Sequence, residues 1–414
     1  MRRAPALASL VVVGLTATLA GCASGTGGDA EGDQTITFIG PRSSDDTEAL
    51  FDELAAQFEA DNPGVTVDVE IVPWNDINTK VNTLVATGQQ PDVLYLDTFS
   101  QFAADGMLLP ASEYLSSDVL DDFVPALTEG GFFEGTQYAL PAAASVRSLV
   151  YNKDIFEEAG IEAPPTTWDE FLAASQKITD AGKIGYLLPF GPPEAYVEYS
   201  LWMWNNGGQW MDGDTWTIDT PEGAEALEFL KKVSDAGLTQ QSPATTPSTD
   251  VATLFARGDV GMLMGGSWLP GTLESLDADI DLGVAAPPVA DASMKPTTMA
   301  VVDSMMAFDT DTDPELIGQF LTFLYAPEQY TRIAADAQSI PTTQSAAKEL
   351  GADSLLTPFL PFLDSAEFYP NTQAAWPDIM AESVETLGTV LTGASTPQAV
   401  LEALQRTAED ASAR

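Results

Sequence analysis

Hydrophobic positions in the first quarter of the chain follow the two periodicities of regular secondary structure. Residues 35–39 form a short run rich in β-forming side chains, and apolar residues alternate with polar ones in residues 65–71. Residues 51–58 and 77–85 instead repeat apolar side chains at the three- and four-residue spacing of one helix face. Residues 93–96 are continuously apolar, as in a strand that is buried on both faces. The pattern therefore predicts strand, helix, strand, helix and strand in that order.

This alternation of strands and helices is typical of an α/β protein with a parallel sheet. In such sheets ligands bind beyond the carboxyl ends of the strands, which here are residues 40–44, 73–75 and 97–100. Ser44 is also predicted to cap the first helix, because two aspartates follow it in the first turn. We therefore expect ligand-binding residues at this edge of the sheet.

The rest of the chain continues with short strands and longer helices, without an internal repeat. Residues 149–151 and 261–264 are predicted strands, and a turn around Gly213 predicts a hairpin over residues 210–218. Helices are predicted for residues 168–178, 224–236, 314–325 and 381–391.

The N-terminal residues have the order of an export signal followed by a spacer. Two arginines precede an apolar stretch at residues 7–19, which is too short to cross a bilayer comfortably. The following Leu-Ala-Gly-Cys resembles the lipobox of bacterial lipoproteins, whose cysteine is diacylated and becomes the first residue of the mature chain. We expect a signal peptide at residues 1–21, a lipid anchor on Cys22 and a flexible tether at 22–33. The alternative is an ordinary secretory signal with an incidental cysteine.

Composition excludes several classes of chemistry. The chain has 62 acidic and 16 basic side chains, a formal charge of −46, which opposes binding to nucleic acid and to anionic lipid surfaces. Solubility or a saline habitat explains this charge without any function. There is no histidine, and Cys22 is the only cysteine. A Ser-His-Asp triad, a histidine or cysteine metal site and a histidine base are thereby excluded. We expect no cofactor and no metal site.

Four phrases of sequence are similar to those of a known family. They are GQQPDV at residues 88–93; LVYNKDIF at 149–156 with PPTTW at 164–168; GGSW at 265–268; and the predicted helix from 381 with the glycine that follows it. In this order they resemble the extracellular solute-binding proteins of ABC importers, the family that includes maltose-binding protein. The resemblance covers nearly all of the chain after residue 33.

The resemblance implies a two-lobed fold of the type II periplasmic-binding-protein kind. Each lobe would be a mainly parallel sheet flanked by helices, and the ligand would lie in the cleft between the lobes. The chain would pass between the lobes near Ala143, Pro287 and Pro341. The implied N-terminal lobe is residues 34–143 with 287–341, and the implied C-terminal lobe is residues 144–286 with 342–414.

The resemblance also implies a binding protein and not an enzyme. We expect it to bind a neutral mono- or oligosaccharide and to deliver it to the transmembrane subunits of an ABC permease. The protein would act as a monomer on the outer face of the cell membrane, held there through Cys22, with no nucleic-acid partner.

A sugar site combines aromatic rings, which stack on the C–H faces, with carboxylates, amides and arginines, which bind the hydroxyl groups. The resemblance implies that Trp268 stacks on sugar, and it suggests Glu194 and Trp376 as cleft residues. Other tryptophans, at positions 168, 210 and 216, are interpreted as structural. The candidate ligand-binding residues are Arg42, Trp74, Asn75, Asp97, Arg147, Glu194, Tyr196, Trp204, Gly266, Ser267, Trp268, Asp303 and Trp376.

Several of these residues have a second interpretation. Asp97 could cap the helix that follows it, Asp303 could cap a turn, and Arg42 could pair with a carboxylate of its own lobe. The segment after the first strand lacks the Asp-Lys pair of maltose-binding protein, so the identity of the sugar does not carry over.

Two other functions remain open from the sequence. The same fold could bind a polyamine, a glycerol phosphate or a metal chelate, although phosphate calls for a cluster of basic residues that this chain lacks. A lipid-anchored glycoside hydrolase needs only two carboxylates across a scissile bond, and the composition does not exclude it.

Overall fold

The computed structural model describes residues 34–348 and 354–413. The export signal, Cys22 and the tether that the sequence predicts lie outside the described residues. Within the described ranges, no helix is both long enough and apolar enough to cross a membrane.

The first five elements have the predicted order. Strands β1 Gln34–Pro41, β2 Val65–Val72 and β3 Val93–Leu96 alternate with helices α1 Thr47–Asp61 and α2 Trp74–Ala86. The strand β1 lies between β2 and β3 and is parallel to both. All four residues of β3 are buried, as the continuous apolar run predicted. The prediction of a parallel α/β start is confirmed.

The predicted cap at Ser44 is wrong. Helix α1 begins at Thr47 with Asp46 in the capping position, and the Ser44 hydroxyl is used elsewhere. It accepts a hydrogen bond from the Asp46 N–H and donates one to the carboxylate of Asp336. Ser44 therefore ties the β1–α1 loop to a distant helix of the same lobe.

The other described elements follow in chain order. The helices are α3 Ser100–Ala104, α4 Ala111–Tyr114, α5 Ser117–Leu120, α6 Pro125–Thr128, α7 Lys153–Glu158, α8 Trp168–Asp180, α9 Ala195–Trp204, α10 Pro221–Asp235, α11 Val251–Phe255, α12 Leu269–Ser275, α13 Pro314–Leu324, α14 Pro327–Asp336, α15 Gln344–Ala347, α16 Trp376–Thr392 and α17 Pro397–Ser412. The strands are β4 Phe132–Phe133, β5 Thr136–Gln137, β6 Ala139–Asn152, β7 Ile184–Leu187, β8 Met211–Asp212, β9 Thr215–Trp216, β10 Val260–Gly266, β11 Leu282–Ala285, β12 Thr298–Ala307 and β13 Ala366–Glu367.

The main sheet has nine strands and is shared between two lobes. Seven strands form the path β2-β1-β3-β12-β6-β10-β7, with β11 added on β6 and β13 on β12. Strand β12 is antiparallel to both β3 and β6, and β10 is antiparallel to β6 but parallel to β7. The sheet is therefore mixed at its centre and parallel towards its two ends.

Strand β6 belongs to both lobes. Its first part, from Ala139 to Arg147, pairs with β12, and its last part pairs with β10 and β11. Only residues 149–151 of this 14-residue strand were predicted. Arg147 pairs with both Met299 of β12 and Gly266 of β10, and it is the last residue of β6 that pairs with β12.

Two large apolar cores lie on either side of this change in pairing. One packs α1, α13 and α14 against β1, β3 and the first part of β6. The other packs α8, α9, α10, α16 and α17 against β10 and the last part of β6. Each lobe therefore has its own hydrophobic core, and the shared strand joins the two.

The contacts of residues 287–341 bear on the lobe boundaries. Val289 bridges to Thr167, beside the start of α8, so the chain still packs on the C-terminal lobe after Pro287. Strand β12 then runs along β6 into the other lobe. Ile340 bridges to Ala144, and the segment after it packs against α5 and α6 of the N-terminal lobe. These contacts favour a second crossing within β12 and a third one after Pro341.

The hairpin predicted around Gly213 forms, and the three tryptophans interpreted as structural pack in the C-terminal lobe. Strands β8 and β9 pair around Gly213. Trp168 stacks on Phe229 with 4.3 Å between the ring centroids. The indole nitrogens of Trp210 and Trp216 donate hydrogen bonds of 2.8 Å to serine hydroxyls.

A buried carboxyl group lies in the core of the C-terminal lobe. Helix α9 is buried on all its faces, and Glu198 in its middle is only 4% exposed. Its Oε1 accepts hydrogen bonds from the Tyr186 hydroxyl and, at 2.7 Å, from the Trp202 indole nitrogen. Burial raises the pKa of Glu198 to about 7, although both hydrogen bonds favour the charged form and oppose the shift.

Glu198→Gln is predicted to remove a pH dependence of stability. The unfolded chain loses the Glu198 proton near pH 4.5, whereas the folded chain keeps it up to about pH 7. Stability therefore falls as the pH rises through this window. Relative to the unmodified protein, the free energy of unfolding of Glu198→Gln should increase by up to about 3 kcal/mol between pH 5 and pH 8 in urea denaturation.

The control is Glu228→Gln, which removes an exposed carboxylate from α10. Its effect on stability should be the same at both pH values. If the two substitutions changed the pH profile equally, burial of Glu198 would not be the cause.

Candidate ligand-binding site

A cavity of about 430 Å³ lies where the two lobes meet, at the carboxyl ends of β1, β2 and β3. The N-terminal lobe contributes residues that follow these strands and the segment after α14. The C-terminal lobe contributes the start of α9 and the helices α11 and α12. The middle of β6 and of β12 lies between them, at Ala143, Arg147, Val301 and Asp303. The cavity is therefore built by both lobes on a base of two shared strands.

One part of the cavity, which we call the acidic end, consists of Asp97, Arg147, Glu194, Tyr196 and Asp303. The Arg147 guanidinium pairs with Glu194 at 3.1 Å, and its side chain is only 12% exposed. The electrostatic interactions that shift the pKa values of Asp97 and Asp303 connect all four charged groups. Three carboxylates therefore share one guanidinium.

Two carboxyl groups of the acidic end, those of Asp97 and Asp303, hold their protons more tightly than exposed ones. Burial raises the pKa of Asp97 to about 6, with a further contribution from Glu194, while the hydrogen bond from Tyr369 lowers it. Burial, Asp97 and Glu194 together raise the pKa of Asp303 well above its ordinary value, and Arg147 opposes the shift. Such perturbed groups in a cleft are typical of functional sites.

Asp97 does not cap the next helix. Helix α3 has no side-chain cap, and the Asp97 carboxylate instead accepts a hydrogen bond of 3.1 Å from the hydroxyl of Tyr369. This contact joins the N-terminal lobe to a segment of the other lobe. Asp97 is thus held at the cavity wall by a neutral donor.

The cavity is also lined by two tryptophans, one from each lobe. Trp74 is the first residue of α2, and Trp268 directly precedes α12; both line the cavity and are half-buried. Their placement on opposite lobes suits two faces of one ring-shaped ligand.

Gly266 positions Trp268 and does not itself line the cavity. A Cβ atom at Gly266 would lie 2.2 Å from Nε1 of the Trp268 indole, so only glycine lets the ring rest on the backbone there. Ser267 is buried, and its N–H donates a hydrogen bond of 3.0 Å to the Val146 carbonyl of β6. Both residues hold the loop that carries Trp268.

Arg42 lines the cavity but pairs with its own lobe. Its guanidinium lies 3.3 Å from Glu48 at an exposed position, so its charge is already balanced. Asn75 also lines the cavity.

Two predicted tryptophans lie in the core and not at the cavity. Trp376 is fully buried, stacks on Tyr369 at 5.5 Å and meets Trp210 edge to face. Trp204 is 3% exposed and belongs to the same core. The polar sequence around Trp376 suggested a cleft residue, but packing between α16 and α9 buries the ring.

The cavity also has lining residues that the sequence did not suggest. Asn78 lies one helical turn after Trp74, and that spacing could have identified it. Gln338 could not be found in this way, because it follows α14 in an irregular segment with a positive φ of 49°. Its side chain accepts a hydrogen bond of 2.9 Å from Thr272 of α12 and so connects the lobes beside the cavity.

The carboxylates of the acidic end do not form a cluster of metal ligands. Among the described residues, no three acidic side chains converge closely enough to hold a metal ion. Carboxylates beside a guanidinium suit hydrogen bonds to several groups of an organic ligand.

Several known proteins are similar to this chain in sequence, and others are similar in fold. A candidate binding protein of Brucella abortus is 30% identical over 365 residues, which are 86% of this chain and 88% of the relative. A maltotriose-binding protein of Pyrococcus abyssi is 31% identical over 58% of this chain and 51% of its own. A diacetylchitobiose-binding protein of Streptomyces coelicolor is 29% identical over 63% of both chains.

Two solved structures have a similar fold over almost the whole described chain. A substrate-binding protein of Listeria monocytogenes in complex with cycloalternan has a TM-score of 0.76 and 25% identity, covering 91% of this chain and 99% of its own. A cyclic α-maltosyl-1,6-maltose-binding protein of Arthrobacter globiformis has a TM-score of 0.72 and 25% identity, covering 92% and 99%. The two-lobed α/β fold is confirmed.

The sequence profile of one family matches residues 43–331, which is well over half of the chain. This match agrees with the shared fold and with the four phrases of sequence. The chain belongs to the family of bacterial extracellular solute-binding proteins.

Proposed function

We propose that this protein is the substrate-binding component of an ABC importer and that it binds a carbohydrate in the cavity between its lobes. The observation that carries this proposal is the pairing of Trp74 and Trp268, from opposite lobes, with the hydrogen-bonding groups of the acidic end. Aromatic faces suit the C–H surfaces of a sugar ring. Carboxylates and a guanidinium suit its hydroxyl groups.

The strands that both lobes share allow the lobes to close around a ligand. The lobes are joined covalently and by strand pairing along β6 and β12, while near the cavity they meet through single polar contacts. Besides the contact of Gln338 with Thr272, the Ser100 hydroxyl donates a hydrogen bond of 2.9 Å to the Gln373 carbonyl. A ligand that touches both lobes adds to these contacts and favours the closed arrangement.

The names of the relatives support a carbohydrate ligand. Proteins that bind maltotriose, diacetylchitobiose and cyclic α-glucans share the sequence or the fold. They are binding proteins, which favours binding over the hydrolysis of a glycosidic bond by two of the cavity carboxylates.

Export and membrane attachment complete the proposal. The N-terminal sequence predicts an acylated Cys22 and a tether of about a dozen residues. A protein held in this way on the outer face of the membrane can pass its ligand to permease subunits without diffusing away.

A thermal-shift screen tests carbohydrate binding. Mono- and oligosaccharides at millimolar concentration should raise the melting temperature if they bind the native state alone. One group of related saccharides should do so, and chromatography should show them intact after incubation. An absence of any shift contradicts the carbohydrate assignment, and release of hydrolysis products favours the glycoside hydrolase.

Trp268→Ala is predicted to weaken saccharide binding without unfolding the protein. Loss of a stacking face of this kind costs about 1–3 kcal/mol, or about fivefold to 150-fold in Kd. Isothermal titration calorimetry with the saccharide that gives the largest thermal shift measures the effect.

Leu276→Ala is the control, because this leucine is 45% exposed and lies just after the same helix α12. It should bind as tightly as the unmodified protein. Equal Kd values for the two variants would mean that Trp268 does not contact the ligand.

Cys22→Ser is predicted to release the protein from the membrane. In a bacterium that processes lipoproteins, the unmodified protein should sediment with membranes and carry a diacylglyceryl group detectable by mass spectrometry. The variant should lack this group and be recovered in the soluble fraction. Membrane attachment that survives the substitution would contradict an anchor on Cys22.

A further inference from the structure

The charges on the cavity wall do not balance. Among the described lining residues, the charged ones are Arg42, Asp97, Arg147, Glu194 and Asp303. The two arginines pair with Glu48 and Glu194, respectively. Arg147 also attracts Asp97 and Asp303, but neither of these carboxylates forms a salt bridge, and three carboxylates share this one guanidinium.

The two remaining carboxylates are poorly compensated by neutral groups as well. Asp97 accepts a hydrogen bond from Tyr369. The carboxylate of Asp303 forms no hydrogen bond or salt bridge with any described residue. Like charges in a partly buried site repel each other, and the cost is removed either by protonation or by a cation.

Tyr196 offers a hydroxyl group to a ligand at this end of the cavity. It lines the cavity and is 5% exposed, yet its hydroxyl has no hydrogen-bond partner among the described residues. The rings of Tyr369 and Trp376 meet it edge to face at 5.8 and 5.7 Å and fix its position. The hydroxyl is not among the buried polar atoms that lack a partner, so it remains accessible at the cavity wall and can form a hydrogen bond with a ligand there.

We propose that the ligand is a saccharide with a protonated amino group, and that this group binds at the acidic end between Asp303, Asp97 and the Tyr196 hydroxyl. The inference rests on the proposed carbohydrate function and replaces the neutral sugar expected from the sequence with a cationic one. A bare metal ion does not fit, because the carboxylates do not converge. Trp74 and Trp268 line the same cavity and offer aromatic faces for the sugar ring.

An ammonium group satisfies this site better than a hydroxyl group does. It donates three hydrogen bonds and cancels one negative charge, whereas a hydroxyl donates one and cancels none. Burial and the neighbouring carboxylates raise the pKa of Asp97 to about 6 and the pKa of Asp303 well above its ordinary value. Asp97 therefore loses its proton between pH 5 and pH 7, which adds negative charge to the acidic end, so affinity for a cation should rise over this range.

The test compares saccharides that differ at one substituent. Glucose with glucosamine, galactose with galactosamine, and cellobiose with chitobiose and diacetylchitobiose are titrated by calorimetry at pH 5 and pH 7. At least one amino saccharide should bind about tenfold or more tightly than both its hydroxyl and its N-acetyl counterpart at pH 7. The advantage should shrink at pH 5.

Asp303→Asn tests the assigned partner. It should weaken binding of the amino saccharide about tenfold and weaken binding of its neutral counterpart much less, so that the preference for the amino saccharide shrinks. Asp76→Asn is the matched control, since Asp76 is an exposed carboxylate of α2 outside the cavity. It removes the same charge from the chain and should leave both affinities unchanged.

The possible results distinguish a failure of the amino-saccharide proposal from a failure of the carbohydrate-binding proposal on which it rests. If neutral saccharides bind as tightly as amino saccharides, or if Asp303→Asn weakens both equally, the cationic ligand is wrong and carbohydrate binding stands. If spermidine binds but no saccharide does, the acidic end binds amines and the carbohydrate assignment is wrong. If none of these compounds binds, both proposals fail.

Discussion

Strand β6 forms backbone hydrogen bonds in both lobes, and the position of the cavity follows from that shared pairing. Its partners change from β12 to β10 at Arg147, so the backbone is fixed there from two sides. The guanidinium at this position reaches Glu194 at the start of α9. The ligand site is therefore built on a strand that both lobes share, while its outer walls belong to the two separate lobes.

The sequence predicted the parts of the fold that local pattern determines. The order from β1 to β3 was correct because one helix face and one strand face are buried in the usual way. Most of β6 was missed, because its alanines and proline have low strand propensity and become a strand only through burial between β12 and β10. The cap at Ser44 was wrong because Asp336, nearly three hundred residues away, competes for that hydroxyl.

In the cavity, too, the sequence predicted what local pattern determines and missed what depends on long-range contacts. Residues directly after a strand or at a helix start, such as Asp97 and Trp74, were found because the carboxyl edge of a sheet can be located from sequence. Trp376 and Trp204 show the limit, since an aromatic residue in a polar stretch packs in the core when a neighbouring helix covers it. The charge balance could not be predicted either. It depends on which carboxylates pair, and only the structure shows that Glu194 is paired and Asp303 is not.

Hydrogen exchange with and without the saccharide that gives the largest thermal shift tests most directly whether the two lobes bind one ligand between them. Amides after β3, in the loop before α12 and in the segment after α14 should all exchange more slowly with ligand. Those of α17, which lies far from the cavity, should not change. Protection confined to one lobe, or found only outside the cavity, would contradict a ligand held between the lobes.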